Sequence, residues 1–197
     1  LRDEPQISEE LREKYLSISL SKAERLEDLI NEFFDIARFN LTDISLQYSK
    51  INLTRLLEQL AYEFKPMLKE KNLTCNLQIP DDLMLRCDAN KIQRAFDNLL
   101  RNAVIYSYPD TEVNVTVVRQ NDDVVIKFIN HGDTISKENL ERIFEQFYRL
   151  DISRSTSSGG AGLGLAISKR IIELHHGTIT ASSENDLIEF TVTLPAS

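Results

Sequence analysis

The sequence predicts an α+β sandwich, one layer of helices against one layer of strands, preceded by one long helix. Three patterns support this fold class. Apolar residues recur at spacings of three and four over residues 9–43, two alternating strand pairs occupy 113–129 and 178–194, and a glycine cluster at 159–164 leads into a helix. Helices and strands in this mixed order bury their apolar faces against each other, which gives a two-layer fold.

The long helix at 9–43 has an apolar stripe that is too broad for a lone surface helix, so we expect it to have a partner helix. The chain begins at Leu1 rather than at a methionine, and we expect the partner to lie upstream. Residues 1–45 are therefore predicted to be part of a helical hairpin, and 46–197 a separate domain.

The remaining elements follow from local periodicity and from helix caps. They are a strand at 45–50, a helix at 53–71 capped by Asn52, strands at 73–79 and 83–86, a helix capped by Asp88 and carrying a stripe from Ile92 to Ala103, a hairpin at 113–129, a helix at 137–143, a Ser-rich mobile loop at 151–161, a helix at 162–174 and a hairpin at 178–194.

Composition excludes several classes of protein. The 197 residues are 42% hydrophobic and 27% charged, as in ordinary globular proteins. The net charge of −8 disfavours binding to the negatively charged phosphate backbone of a nucleic acid. No apolar stretch reaches the roughly 18 residues that span a bilayer. Cys75 and Cys87 fit no metal spacing, although they could face each other, and we interpret them as buried thiols in a reducing compartment.

The segment GGAGLGLAI at 159–167 combines bare backbone amides with the start of a helix, which suits a phosphate chain. It is not a P-loop, because Leu165 and Ala166 stand where that motif needs Lys and Ser or Thr. It is not a dinucleotide fingerprint either, since STSS rather than a strand precedes the glycines. A plain flexible loop remains an equal alternative for this segment alone.

Two further blocks carry polar side chains suited to a nucleotide. Asn98 and Asn102 share one helix face, where their amide oxygens can hold Mg²⁺, and Tyr106 one turn later can pack on a flat base. In the block NHGDTI, Asn130 can accept a hydrogen bond from a base amino group, while Gly132 permits a close backbone approach. Taken singly, such residues are commonly solvated or part of a loop.

A fourth block, IFEQFYRLD at 143–151, has an aromatic run that would normally lie in a core. In this order and spacing, the four blocks resemble the N, G1, F and G2 boxes of sensor histidine kinases, and the resemblance covers essentially the whole chain. LINEFFDIARF and the glycine-poor G1 block are most similar to the VanS-type sensors of glycopeptide resistance. The resemblance implies that 1–45 holds the second helix of a dimerisation and histidine-phosphotransfer hairpin, and that 46–197 is a Bergerat-type catalytic ATP-binding domain.

The resemblance also implies a site for ATP and Mg²⁺. It assigns the metal to Asn102 and Asn98, the adenine to the region of Tyr106 and Asn130, and the phosphates to the F box, a lid arginine and the glycine hinge. The implied binding residues are Asn98, Asn102, Tyr106, Asn130, Gly132, Ile135, Phe147, Tyr148, Arg149, Arg154, Gly160, Gly162, Leu163 and Gly164.

Three residues depart from the pattern of the family: Asn130 replaces an Asp, Thr134 replaces a glycine, and Ile105 stands where Lys or Arg is frequent. An amide oxygen accepts a weaker hydrogen bond than a carboxylate, so we expect modest affinity for ATP. No catalytic residue is assigned, because the phosphoacceptor histidine of the family has an H-E/D-x-x-T-P context that none of the three histidines of this chain shares.

The implied activity is transfer of the γ-phosphoryl group of Mg-ATP to a histidine outside this chain and then to an aspartate of a response regulator. We expect this chain to bind ATP without phosphorylating itself. The intact kinase is expected to be a homodimer at the cytoplasmic face of the bacterial membrane, attached only through upstream segments, with no nucleic-acid partner. The alternatives are an ATP-driven switch, which would need a water-activating Glu in place of Asn98, and a dimerisation module with a decayed ATP site.

Overall fold

The structure is a computed structural model, and it describes residues 8–41, 46–150 and 162–196. The chain divides into two compact units, Leu1–Thr42 and Asp43–Ser197. The assignment of the first unit to a phosphotransfer hairpin stays a prediction.

The helices of the described part are α1 (Glu9–Leu41), α2 (Leu53–Glu63), α3 (Lys65–Glu70), α4 (Ala89–Tyr106), α5 (Lys137–Arg142) and α6 (Gly164–Leu174). The strands are β1 (Ser49–Asn52), β2 (Thr74–Gln78), β3 (Met84–Cys87), β4 (Glu112–Gln120), β5 (Asp123–His131), β6 (Thr178–Glu184) and β7 (Leu187–Pro195). Within the described ranges, no helix combines the length and the apolar character needed to cross a membrane.

Five strands form the main sheet in the order β2-β4-β5-β7-β6. β2 runs parallel to β4, and the other neighbours are antiparallel. The predicted α+β sandwich and its two hairpins are confirmed. One feature differs from the prediction: β1 and β3 pair with each other in a separate two-stranded antiparallel sheet rather than joining the main layer.

The core lies between the main sheet and the helix layer, in which α4 and α6 pack side by side. The predicted apolar stripe of α4, from Ile92 to Ala103, is buried. The Phe96 ring on α4 lies 5.5 Å from the Phe128 ring on β5. The Ser168 hydroxyl of α6 donates to the Ala95 carbonyl of α4 at 3.1 Å, so one buried hydrogen bond ties the two helices together.

Local capping explains where two of the helices begin. The Asn52 side chain accepts a hydrogen bond from the Arg55 amide at 3.0 Å, and Asp88 accepts one from the Lys91 amide at 3.1 Å. Both predicted caps are confirmed.

Three predicted boundaries are wrong. The single helix at 53–71 is instead α2 and α3, separated at Phe64, because Pro66 in the first turn of α3 has no amide proton to continue the earlier helix. The first strand begins at Ser49 rather than at residue 45, and the glycine-led helix begins at Gly164 rather than at residue 162.

The long helix is found as predicted, at Glu9–Leu41 against 9–43. Apolar side chains along it are exposed, among them Leu11, Tyr15, Ile18 and Leu26. A partner helix for this face remains a prediction.

The two cysteines are free, and they lie on strands of different sheets, Cys75 on β2 and Cys87 on β3. Cys87 is fully buried, whereas Cys75 is only partly buried, which corrects the expectation of two buried thiols. Burial raises the pKa of both thiols, and for Cys87 burial together with the neighbouring Asp88 carboxylate raises the pKa to about 12.

Candidate nucleotide-binding site

Helix α4 carries the carboxamide pair. Asn98 and Asn102 lie one turn apart, and the Nδ2 atom of Asn102 donates to the Asn98 main-chain carbonyl at 2.7 Å. That bond uses one of the two N–H donors of the Asn102 amide, and the atom that this amide could offer to a metal ion is its Oδ1. A neutral amide oxygen is a hard ligand suited to Mg²⁺, so this side chain fits the predicted metal role.

The glycine segment at 162–164 lies against this pair. The Nδ2 atom of Asn98 donates to the Gly164 carbonyl at 3.0 Å, and a Cβ atom added at Gly164 would lie 3.5 Å from the Asn98 Cγ atom. Leu163 is buried and holds the start of α6 in the core. The fold thus brings together two blocks that are more than sixty residues apart in the sequence.

The aromatic block meets the same glycine segment. The Phe147 amide donates to the Gly162 carbonyl at 3.0 Å, and a Cβ atom at Gly162 would approach the Tyr148 carbonyl oxygen to 2.9 Å and the Arg149 Cγ atom to 3.2 Å. Gly162 also has a φ of +77°, a value that residues with a side chain rarely adopt. Both constraints favour glycine at this position.

Phe147 is not a core residue. Its side chain is 61% exposed and its φ is +64°, an uncommon value for an aromatic residue. Tyr148 is fixed instead, because its hydroxyl donates to the Asn139 side chain at 2.6 Å and its ring lies 4.3 Å below the Arg142 guanidinium. Phe147 and Tyr148 therefore lie beside the glycine segment, whereas Phe144, the first aromatic residue of the block, packs edge-on against the buried Phe190 at 6.4 Å between ring centroids.

The end of strand β5 approaches the carboxyl end of α4. The Tyr108 amide donates to the His131 carbonyl at 2.8 Å, and a Cβ atom at Gly132 would lie only 2.3 Å from the Tyr106 carbonyl oxygen. The predicted close backbone approach at Gly132 is present. The Tyr106 side chain is half-exposed at the same end of the helix.

Asn130, two residues before this approach, is 1% exposed. Its Nδ2 atom has no hydrogen-bond partner within the described ranges. Ile135 is also buried, and its amide donates to the Ser183 hydroxyl at 3.0 Å.

Thr134 and Asp186 form a contact that sequence reasoning missed. The Thr134 hydroxyl lies 3.1 Å from the Asp186 carboxylate and accepts a hydrogen bond from the Asp186 amide at 2.9 Å, while the Gly132 amide donates to the Asp186 carbonyl. The turn between β6 and β7 is thereby fixed on the loop after β5. No local pattern signals a pair that is 52 residues apart.

Lys71 was also missed. Its ammonium group donates to the carbonyls of Val104 at 3.2 Å and Ser107 at 3.4 Å and to that of Ile105. A cation is favourable at the carboxyl end of a helix, where the last carbonyls lack helical partners. Lys71 therefore stabilises the end of α4 that carries Tyr106.

These contacts lie in a row along α4. Asn98 meets the glycine segment, Asn102 follows one turn later, and Tyr106 meets the end of β5, which at 1.5 Å per residue gives a row of about 12 Å. The row joins the residues at which the sequence predicts the phosphates and the base of a nucleotide. Two residues predicted for this site, Arg154 and Gly160, lie outside the described residues together with the loop at 151–161.

Residues 87–197 match the protein family described as histidine kinase-, DNA gyrase B- and HSP90-like ATPases. Over 99% of its length the chain is 48% identical to the sensor protein VanSC of Enterococcus gallinarum, and it covers 54% of that protein. Over its full length it is 43% identical to the sensor protein VanS of Enterococcus faecium and covers 51% of it. The chain thus spans about half the length of these curated relatives.

Solved structures agree on the fold. Full-length ShkA in complex with AMPPNP matches with a TM-score of 0.82 at 23% identity, over 96% of this chain and 40% of that one. Histidine kinase ThkA in complex with the response regulator protein TrrA matches with a TM-score of 0.78 at 23% identity, over 98% of this chain and 53% of that one. By its sequence match over residues 87–197, the chain belongs to the family of histidine kinase-, DNA gyrase B- and HSP90-like ATPases.

Proposed function

We propose that the chain binds Mg-ATP along α4 and presents the γ-phosphoryl group for transfer to a histidine outside this chain, as the catalytic part of a VanS-type sensor kinase. The observation that carries the proposal is the carboxamide pair, Asn98 and Asn102, held against Gly164 at the start of α6. The similarity to VanSC and VanS supports a role in glycopeptide-resistance signalling.

The phosphate end needs positioning and neutral ligands more than covalent chemistry. The Oδ1 atom of Asn102 would hold Mg²⁺, which neutralises charge on the phosphates. The amino end of α6 contributes backbone amides and the positive end of the helix dipole. Phe147, Tyr148 and Arg149 would line the outer side of this end.

The base end would lie between Tyr106, the close approach at Gly132 and the buried Asn130. A half-exposed tyrosine can pack on a purine face. The Asn130 side chain would offer hydrogen bonds to the edge of the base. Ile135, five residues further along the chain, is buried.

Asn98 supports kinase chemistry over hydrolysis. In relatives that act as ATP-driven switches, a Glu at this place activates water. Here the residue is an amide whose nitrogen donates to the Gly164 carbonyl, so it cannot take a proton from water. We expect slow hydrolysis of ATP in the absence of an acceptor.

The histidines of the chain support an acceptor outside it. His175 is 4% exposed, its Nε2 atom accepts from the Asp88 amide at 3.0 Å, and its Nδ1 atom lies 2.8 Å from the Ile171 carbonyl, so both nitrogens are occupied. His131 and His176 are exposed but lack the context of the family phosphoacceptor. The response regulator, the homodimer and the cytoplasmic face of the membrane remain predictions for the intact kinase.

Calorimetric titration of Mg-ATP tests the proposal. We expect Asn102→Ala to weaken binding at least tenfold, about 1.4 kcal/mol, because it removes the metal ligand. Asn76→Ala is the matched control: Asn76 is exposed on the edge strand β2, and affinity should be unchanged. Wild-type affinity in Asn102→Ala would refute the assignment of the metal.

A phosphotransfer assay tests the second part of the proposal, transfer of the γ-phosphoryl group to a histidine outside this chain. With γ-labelled ATP, the chain alone should stay unlabelled, whereas an added histidine-bearing hairpin from a VanS-type sensor should become labelled. Acid-labile label on the chain alone would show that one of its own histidines is the acceptor.

A further inference from the structure

Asn130 is a buried amide with a hydrogen-bond donor that the described structure leaves unused. It is 1% exposed, and its Nδ2 atom has no partner within the described ranges. A buried donor without a partner costs about 1–3 kcal/mol, so native proteins usually provide one. A ligand that accepts a hydrogen bond here would remove that cost.

The face on which Asn130 lies follows from the strand. Side chains alternate along β5, so Asn130 shares a face with Phe128, which packs on Phe96 of α4. Asn130 therefore faces the helix layer, two residues before the place where Gly132 meets the Tyr106 carbonyl. This is the end of the site at which the proposed function places the base.

A carboxamide and a carboxylate form hydrogen bonds with different purine bases. An ionised carboxylate only accepts hydrogen bonds, so it suits the amino group of adenine and repels the keto oxygen of a 6-oxopurine. A carboxamide carries one donor group and one acceptor side by side. It can pair with the amino group and N1 of adenine or, after rotating by about 180° around χ2, with the keto oxygen and N1–H of a 6-oxopurine.

We propose that Asn130 relaxes the base selectivity of this site, so that it binds 6-oxopurine nucleoside triphosphates, those of inosine and guanosine, alongside ATP. The inference rests on the proposed function, because it assigns the base to the end of the site at Asn130. What the inference adds is a value for the ratio of the affinities for 6-oxopurine and adenine nucleotides. Asn130 would set this ratio without contacting the phosphates.

Calorimetric titrations with Mg-ATP, Mg-ITP and Mg-CTP on the whole chain test it. ITP is the primary probe, because it differs from ATP at the 6-position and lacks the 2-amino group of GTP. We expect the Kd for ITP to lie within about tenfold of that for ATP, and CTP to bind much more weakly. ATP binding with an ITP affinity more than a hundredfold weaker would overturn the inference and leave the proposed function intact.

Two variants sharpen the test. Asn130→Asp should raise the ratio of the ITP Kd to the ATP Kd at least tenfold, whereas Asn76→Ala should leave that ratio unchanged. An unchanged ratio in folded Asn130→Asp would overturn the inference. The wild-type comparison needs no variant, so it decides the matter if Asn130→Asp fails to fold. If wild type binds neither ATP nor ITP, the proposed function and this inference fail together.

Discussion

Replacing Gly132 by alanine would place a methyl group against the Tyr106 backbone, at the end of the site where we propose that the base binds. The added Cβ atom would lie 2.3 Å from the Tyr106 carbonyl oxygen and 3.2 Å from the Ile188 Cδ1 atom. Ordinary contact begins at 3.4 Å, so the Tyr106 backbone would have to retreat by about 1 Å. That backbone is held, because the Tyr108 amide is bonded to the His131 carbonyl.

We expect Gly132→Ala to lose about 2 kcal/mol of stability, within the usual range for an overpacked site. In a chain of this size that loss lowers the midpoint of thermal unfolding by roughly 4–8 °C. Circular dichroism melts without nucleotide measure the shift. Calorimetry below the melting range should show an Mg-ATP affinity about tenfold weaker, since in the proposed site a displaced Tyr106 would no longer pack on the base.

Two other glycines provide controls. A Cβ atom at Gly177 would lie 2.3 Å from the Thr193 carbonyl, an equal clash away from the site, so Gly177→Ala should lower the midpoint similarly but leave the affinity of the folded chain unchanged. A Cβ atom at Gly164 would make only ordinary contacts of 3.5 Å or more with Asn98, and Gly164→Ala should melt close to wild type. Equal affinity losses in Gly132→Ala and Gly177→Ala would refute the reasoning.

Three further outcomes are expected. Burial lowers the pKa of His175, so protonation favours the unfolded chain. The free energy of unfolding should be highest above about pH 6.5 and fall below that pH by up to about 1.4 kcal/mol per pH unit. His175→Gln should flatten this part of the profile of melting temperature against pH. Thr134→Val should lose about 0.5–1.5 kcal/mol of the free energy of unfolding in urea, because the exposed hydrogen bonds to Asp186 are lost, whereas Thr134→Ser should retain most of it. Equal losses in the two variants would contradict the hydrogen-bond role. With its pKa raised to about 12, buried Cys87 should resist iodoacetamide at pH 8 until the chain is unfolded, and mass spectrometry that finds it rapidly labelled in the folded chain would contradict this.

The parts of the fold that the sequence predicts well depend on neighbours in the chain. Asn52 and Asp88 cap helices through contacts three residues away, and the stripe on α4 repeats within one element. Local signals fix such features, because the interacting atoms lie within one turn.

The parts that it predicts poorly depend on contacts between distant residues, apart from one helix break that has a local signal. The break at Phe64 could have been found, because Pro66 restricts the residue before it and ends a preceding helix. The separate pairing of β1 with β3 and the contact between Thr134 and Asp186 have no local signal, since their partners lie more than thirty residues away. At the candidate site the sequence proposes residue types, but it does not show which of their atoms are already hydrogen-bonded within the chain.

Two of the three departures from the family pattern, Thr134 and Ile105, lie at contacts that hold the fold around the candidate site, whereas the Asn130 Nδ2 atom has no partner within the described ranges. Thr134 gives up the freedom of a glycine and gains two hydrogen bonds to Asp186 that hold the loop after β5. Ile105 supplies no cation of its own, but the Lys71 ammonium reaches the Ile105 carbonyl and its neighbours from another element. Both contacts stabilise the fold whether or not a nucleotide binds, so the titration of Mg-ATP decides between a nucleotide site and a dimerisation module with a decayed site. Binding of Mg-ATP by the wild-type chain would exclude the decayed site.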